Sequence, residues 1–277
     1  MHKSKLLIIG GRSNLSRELG RTVKGSKIIA GDELQKLPEL LAQEGRSNVV
    51  YNLYYKSAWL GRRDTPVAYA RYAFQRMAEF TAICRDAQQY IDKVIFTSSS
   101  SVYGSNPWAA ESDRCDITNL YASLKFASEL FLREHLADTR IALIITRVFN
   151  MYGGADEFSV VSKIANALSL GTGFQVSNHG RSVRDFVHVR DVVEIYQRLL
   201  ASTFSGVVNV GSGTGLSVSD LIEKAEMAFK RRLPVSYVER NEIDRSVART
   251  DALLKAVGPM KFRPVDQYFQ EQCKANG

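Results

Sequence analysis

The stretch KLLIIGGRSNLS, residues 5–16, decides the fold: an unbroken apolar run ends in two glycines and a polar turn that opens a helical pattern. A strand with one wet face alternates, so a continuous Leu/Ile run reads as a strand covered on both faces. Glycines at its end let backbone approach a ligand closely, and a helix N-terminus beyond them offers N–H groups and the positive end of a dipole to an anion. Gly10, Arg12, Ser13, Asn14 and Leu15 are therefore candidate contacts for a pyrophosphate. In a G-x-x-G-x-x-G frame starting at Gly10, the second and third glycines are Ser13 and Ser16. Serine is small and adds a hydroxyl donor, but it reaches positive φ less easily than glycine. A plain strand-to-helix turn with a solvated Arg12 is the other reading of this segment.

Working outward, further apolar runs at 27–31, 49–53, 93–97, 141–146 and 207–210 read as strands. Amphipathic stretches around 14–24, 34–44, 66–89 and 119–137 lie among them. Alternation of this kind indicates a parallel sheet with helices on both faces, a doubly wound α/β fold that binds ligands at the carboxyl ends of its strands. Beyond about residue 150 the pattern loosens, with helices expected at 160–169, 190–202 and 217–230 and a short strand at 234–238. We assign 1–150 and 181–212 to a dinucleotide-binding Rossmann domain, and 151–180 and 213–277 to a small substrate-binding lobe.

Asp32 ends the second strand, where a carboxylate can accept from adenosine ribose hydroxyls and favour NAD over NADP. It can equally be the N-cap of the helix at 34–44. The interval from Asp32 to Asn48 is short, so the extra strand and helix usual there are compressed or missing.

Composition bounds the rest. With 277 residues, 45% hydrophobic and 24% charged, the chain is an ordinary globular protein able to bury a large core. No run approaches the ~18 apolar residues of a membrane span, and no signal peptide is recognisable, which points to the cytoplasm. The three cysteines, Cys84, Cys115 and Cys273, are far apart and lack a C-x-x-C, so neither a disulfide framework nor a metal site is expected. A net charge of +8 suits phosphate-bearing ligands, and the scatter of Lys and Arg argues against a nucleic-acid face.

The chemistry lies in Y-A-S-L-K, where Tyr121 and Lys125 stand one helical turn apart, downstream of the serine run Ser98 to Ser101. A free phenol titrates near about 10, and a neighbouring ammonium favours the phenolate, moving the group toward acid–base use. By itself the pair fits an amphipathic surface helix as well.

In order along the chain stand F-T-S-S-S-S-V-Y-G at 96–104, Y-A-S-L-K at 121–125, R-V-F-N-M-Y-G at 147–153, R-D-F-V-H-V-R-D-V at 184–192 and N-V-G-S-G-T-G-L-S-V at 209–218. With these blocks the chain resembles the extended short-chain dehydrogenase/reductases, the nucleotide-sugar epimerases, dehydratases and 4-keto-reductases, over nearly its whole length. The resemblance implies an NAD or NADP cofactor and a nucleotide-diphosphate sugar substrate. It implies a catalytic Ser99, Tyr121 and Lys125, with Tyr121 as acid or base and Lys125 also on the nicotinamide ribose. Ser99, Ser100 and Tyr121 would face the sugar, and Asn150, Arg184 and Arg240 the nucleotide diphosphate. A structural ion pair is the alternative for Arg184. The resemblance also implies a homodimer through the helices at 66–89 and 119–137.

The departures fall on the cofactor half. Where the family has small residues beside the cofactor, this chain has Asn52-Leu53-Tyr54-Tyr55, and a commonly found asparagine is Ala73. The resemblance nevertheless implies that Leu53 and Tyr54 line the cofactor. Sugar 4,6-dehydratases carry an Asp-Glu pair after the catalytic hydroxyl, and here those positions are Ser100 and Ser101, which disfavours a dehydratase. The readings left are an epimerase or 4-keto-reductase, a non-catalytic dinucleotide- or sugar-binding protein with an eroded cofactor site, and an RNA-binding relative.

Overall fold

The computed structural model describes residues 5–53 and 66–276; Tyr54 and Tyr55 lie outside them. In chain order the elements are β1 (Lys5–Ile9), α1 (Asn14–Thr22), β2 (Lys27–Ile29), α2 (Leu37–Glu44), β3 (Ser47–Tyr51), α3 (Pro66–Asp86) and β4 (Ile91–Ser99). Then come β5 (Trp108–Ala109), α4 (Leu120–Leu136), β6 (Ala142–Val148), β7 (Asn150–Tyr152), α5 (Val160–Leu170), β8 (Phe174–Ser177) and β9 (Val183–His188). The chain ends through α6 (Val189–Ala201), β10 (Gly206–Val210), β11 (Gly215–Ser217), α7 (Val218–Phe229), β12 (Val235–Val238), β13 (Arg245–Ala248), α8 (Asp251–Val257) and α9 (Val265–Asn276). Among the described residues the chain divides into two compact units. The first runs to Val102 and adds Ile117–Arg147 and Tyr196–Val208; the second takes Tyr103–Asp116, Val148–Ile195 and Asn209 onward.

The first unit carries a six-stranded sheet in the order β10-β6-β4-β3-β1-β2. The pairs β1–β2, β1–β3 and β3–β4 are parallel, with Ile9 opposite both Ile29 and Tyr51. Every residue of β3 is buried, as are Leu6 to Ile9 of β1, because the sheet is covered on both sides and no face needs polar side chains. Between α2 and α3 and the sheet, Leu34, Leu37, Leu41, Phe80 and Val94 are fully buried. The ring of Tyr51 lies 4.4 Å from that of Phe80. From β1 the chain steps outward to β2 and returns on the other side of β1 as β3. The sheet therefore reverses direction at β1/β3, the switch point where doubly wound sheets open a crevice beyond their carboxyl ends.

Between β2 and β3 the chain has only a 3₁₀ stretch, Gly31–Lys36, and α2. The compressed interval expected there is thus one short helical passage. The second unit has antiparallel and parallel pairings around β9, in the order β11-β9-β13-β5 with β7 also on β9, and a separate β12–β8 pair. No described helix is long and apolar enough to cross a membrane.

Candidate active site

At the switch point the turn after β1 is built by one glycine and two serines. Gly10 has φ +104°, and a Cβ there would lie 2.3 Å from the Asn52 carbonyl oxygen and 2.9 Å from Leu53 Cα. Only glycine allows the ends of β1 and β3 to pass so closely. Ser13 stands at φ −77°, ψ 148° as the N-cap of α1, accepting from the Ser16 N–H at 3.0 Å. Positive φ is therefore not required at this position, which answers the expected cost of losing a glycine. The Ser13 hydroxyl donates to Ser16 Oγ at 3.0 Å, and the Asn52 amide donates to both hydroxyls, at 3.0 Å to Ser16. All three side chains are buried, so the serines' polar groups are spent on Asn52 and on each other.

Because Ser13 both caps α1 and accepts from a buried amide, Ser13→Ala is expected to destabilise the protein by about 1–2 kcal/mol. Urea denaturation measures this, and an unchanged midpoint would show that the capped network carries no stability.

The other cofactor candidates of this unit are placed unevenly. Arg12 is exposed on the turn, Asn14 is the half-buried first residue of α1, and Leu15 is buried and can offer a ligand only its backbone. Asp32 is exposed in the first turn of the 3₁₀ stretch that follows β2. That stretch has no side-chain cap and the flanking residue of α2 is Lys36, so the N-cap reading of Asp32 fails. Leu53 is buried over Gly31, whose absent Cβ would lie 2.2 Å from Leu53 Cδ1. Tyr54 is outside the described residues.

The catalytic candidates come from β4 and α4. β4 ends at half-buried Ser99, whose Oγ accepts from the Ser101 N–H at 3.2 Å, and Ser100 begins a 3₁₀ turn. α4 starts cleanly because Asn119 caps it, accepting from the Ala122 N–H at 2.9 Å. Tyr121 therefore sits half-buried in the first turn and Lys125 is buried one turn later. The Lys125 ammonium donates to the Thr97 carbonyl at 2.7 Å and lies 5.9 Å from the centroid of the Tyr121 ring. Burial lowers Lys125 from its ordinary value to about 8, with the Glu129 carboxylate opposing. Tyr51, Leu53, Tyr69, Phe96, Tyr121 and Lys125 line one pocket, which Ala73 also borders. β4 thus presents Ser99 two residues beyond the carbonyl that holds Lys125.

In the second unit, Asn150 on β7 donates to the Asp185 carbonyl at 3.0 Å. Arg184 on β9 is half-buried, donates to the Val183 carbonyl at 2.9 Å and lies 3.9 Å from Glu242, the ion-pair partner that its alternative reading requires. Burial lowers its guanidinium, with Glu242 and Asp244 opposing. Arg240 is exposed, donating to Gln175 at 3.0 Å and, through its backbone N–H, to Asn178 at 2.7 Å. Sequence reasoning missed Asp185, which is fully buried. It accepts from Ser212 and Gly213 N–H groups at 2.8 and 2.9 Å and so clamps the glycine-rich block at 209–218. It also missed Asn52, Glu129 and Arg147; the one-turn spacing of Glu129 after Lys125 was the available signal. Among the described residues no group of three or more His, Cys, Asp or Glu is arranged to hold a metal ion.

Known proteins are similar to this chain in sequence and in fold. Residues 11–211 match the model of a family described as the NAD dependent epimerase/dehydratase family. A UDP-glucose 4-epimerase of Rhizobium meliloti (strain 1021) is 27% identical over 273 residues, 88% of this chain and 82% of that one. A UDP-glucose 4-epimerase of Bacillus subtilis (strain 168) is 27% identical over 197 residues, and the match spans 61% of this chain but only 58% of that relative's length. A UDP-N-acetylglucosamine 4-epimerase from Methanobrevibacter ruminantium M1, solved in complex with UDP-N-acetylmuramic acid, shares the fold. Its TM-score is 0.86 at 23% identity, over 99% of this chain and 98% of that one.

Proposed function

Since this chain belongs to the NAD dependent epimerase/dehydratase family, within the extended short-chain dehydrogenase/reductases, we propose that it is an NAD(P)-dependent nucleotide-sugar epimerase or 4-keto-reductase with Tyr121 as its acid–base group. The observation that carries this reading is the buried Lys125 ammonium, 5.9 Å from the Tyr121 ring centroid and hydrogen-bonded two residues before Ser99. Such an ammonium favours the phenolate and suits Tyr121 to take a proton from a sugar hydroxyl or return it to a ketone. The Ser99 hydroxyl donates to the same sugar oxygen and orients it.

The residues present fit a dinucleotide. The N-terminus of α1 opens at the switch point with exposed Arg12 beside it, and exposed Asp32 follows β2 where it can accept from a ribose. When bound, the nicotinamide supplies hydride acceptance and return at the sugar carbon. Gly10, Arg12, Ser13, Asn14 and Leu15 are assigned to the pyrophosphate, Leu53 to the cofactor's flank, and Lys125 to the second ribose. The first unit is accordingly the dinucleotide-binding part. Asn150, Arg184 and Arg240 of the second unit are assigned to the nucleotide diphosphate, and Ser100 to the sugar. A sugar 4,6-dehydratase is set aside because Ser100 and Ser101 have no carboxyl group to move the proton that elimination of water requires.

The test is to denature the purified protein, identify any released dinucleotide, and follow UDP-, dTDP- and GDP-sugars with the native protein by NMR. Released NAD(H) with interconversion of a UDP-sugar supports an epimerase, and turnover of a 4-keto sugar with added NADPH supports a reductase. Ligand binding with no turnover of any sugar would instead support a non-catalytic binding protein.

A cytoplasmic homodimer completes the proposal. α3 packs on α4, and Val67 and Phe74 of α3 and Leu130 of α4 are exposed apolar side chains that a second copy would cover. Light scattering is expected to give twice the 31.0 kDa chain mass, and a monomeric mass would contradict the dimer.

A further inference from the structure

One turn beyond Lys125, Glu129 is buried at 1% exposure between two strands. Arg147 of β6 donates Nε to both carboxylate oxygens at 3.2 Å and Nη2 to Oε2 at 2.7 Å. Ser98 of β4 donates its hydroxyl to Oε1. Arg147 and Ser98 are themselves buried, at 3% each. Successive turns of α4 therefore grip successive residues of β4: Lys125 the Thr97 carbonyl, and Glu129 the Ser98 hydroxyl, immediately before Ser99. A buried ion pair is a poor source of stability, because desolvating both charges offsets their attraction, so a role beyond stability is the better account of this one.

We propose that Glu129, clamped by Arg147 and Ser98, is a positioning residue that locks α4 to the end of β4 and keeps Lys125 an ammonium beside Tyr121. The groups facing Lys125 are Tyr121 and Glu129 of its own helix, the Thr97 carbonyl and Phe96 ring of β4, Tyr51 of β3 and Tyr69 of α3, with Arg147 of β6 bound to Glu129. Among these Glu129 carries the only carboxylate. It opposes the burial that lowers Lys125 to about 8. Removing it withdraws stabilisation from the charged form alone, so the ammonium is lost at lower pH.

The inference rests on the acid–base reading of Tyr121 and Lys125, and its test is independent of turnover. The protein is grown with ¹³Cε-lysine, the Lys125 resonance is assigned by its loss in Lys125→Met, and its titration is followed by NMR. In Glu129→Gln the midpoint is expected to fall by about one unit or more, the size of a nearby-charge effect. The alkaline limb of kcat should move down with it while KM changes little. Glu129→Gln/Arg147→Met leaves no buried guanidinium stripped of its carboxylate, folds more readily than Glu129→Gln, and should still show a lowered midpoint. An unchanged Lys125 midpoint in either folded variant overturns the proposal. Full turnover by Tyr121→Phe would remove the catalytic reading but leave the lysine titration as it was, so the two failures are distinguishable.

Discussion

Tyr121→Phe is expected to lower kcat by about 10²–10⁴-fold, the usual contribution of a positioned acid–base group, while the fold and dinucleotide binding persist. The substitution removes one oxygen and keeps the ring, which is half-buried in the first turn of α4 and lines the pocket with Tyr51 and Tyr69. Neighbouring groups do not replace it. The Lys125 ammonium is anchored through one N–H to the Thr97 carbonyl and assigned through the others to the ribose, and a serine hydroxyl at Ser99 is too weak an acid to protonate an alkoxide-like oxygen at a useful rate. The loss should fall on kcat more than on KM, because a proton transfer is completed only in the transition state. Turnover of a confirmed sugar nucleotide by NMR measures it. A rate equal to the unsubstituted protein's would remove Tyr121 from the mechanism.

Gly10→Ala is expected to cost about 3–5 kcal/mol and to abolish dinucleotide binding with it. Two effects add. A side chain at φ +104° is strained by about 1–3 kcal/mol, and its Cβ would stand 2.3 Å from the Asn52 carbonyl, a backbone atom that cannot swing aside. Relief requires β1 and β3 to part at their ends. That pulls on the Asn52 N–H bond to Ile9 at 2.9 Å and on the Asn52 amide that joins Ser13 and Ser16. Gly45 is the internal control: it has φ +72° and ψ −146° but nothing within 4 Å of the added atom, so Gly45→Ala should cost only the conformational strain, about 1–3 kcal/mol. Urea denaturation of both variants separates the terms. Equal losses would mean that the close approach of the two strands contributes nothing.

The parts legible in the sequence were those whose physics is local. The run at 5–9 is a strand because Leu6 to Ile9 are all apolar and buried, and the glycine that ends it sits where β1 meets β3. Tyr121 and Lys125 were legible from one-turn spacing, and α4 delivers it because Asn119 supplies the cap. What escaped was set by contacts between distant residues. Asn52 reads as a strand-end residue until its amide is seen to hold Ser13 and Ser16, far earlier in the chain. Glu129 reads as one more charge on an amphipathic helix until Arg147 and Ser98 bury it. β5 is only Trp108–Ala109, and no hydrophobic period is visible in so short a strand; it exists because β13, far along the chain, pairs with it. Asp32 failed as a helix cap for a local reason: a 3₁₀ stretch intervenes and moves the start of α2 to Leu37.

The central claim is that this chain moves hydride at a sugar carbon, with Ser99, Tyr121 and Lys125 handling the oxygen. It is tested most directly by incubating the protein with NADH tritiated at C4 of the nicotinamide and a 4-keto nucleotide sugar, then separating dinucleotide from sugar nucleotide and counting each. The account predicts tritium at C4 of the sugar in the native protein and far less in Tyr121→Phe. Bound dinucleotide with all the label remaining in it would contradict the account.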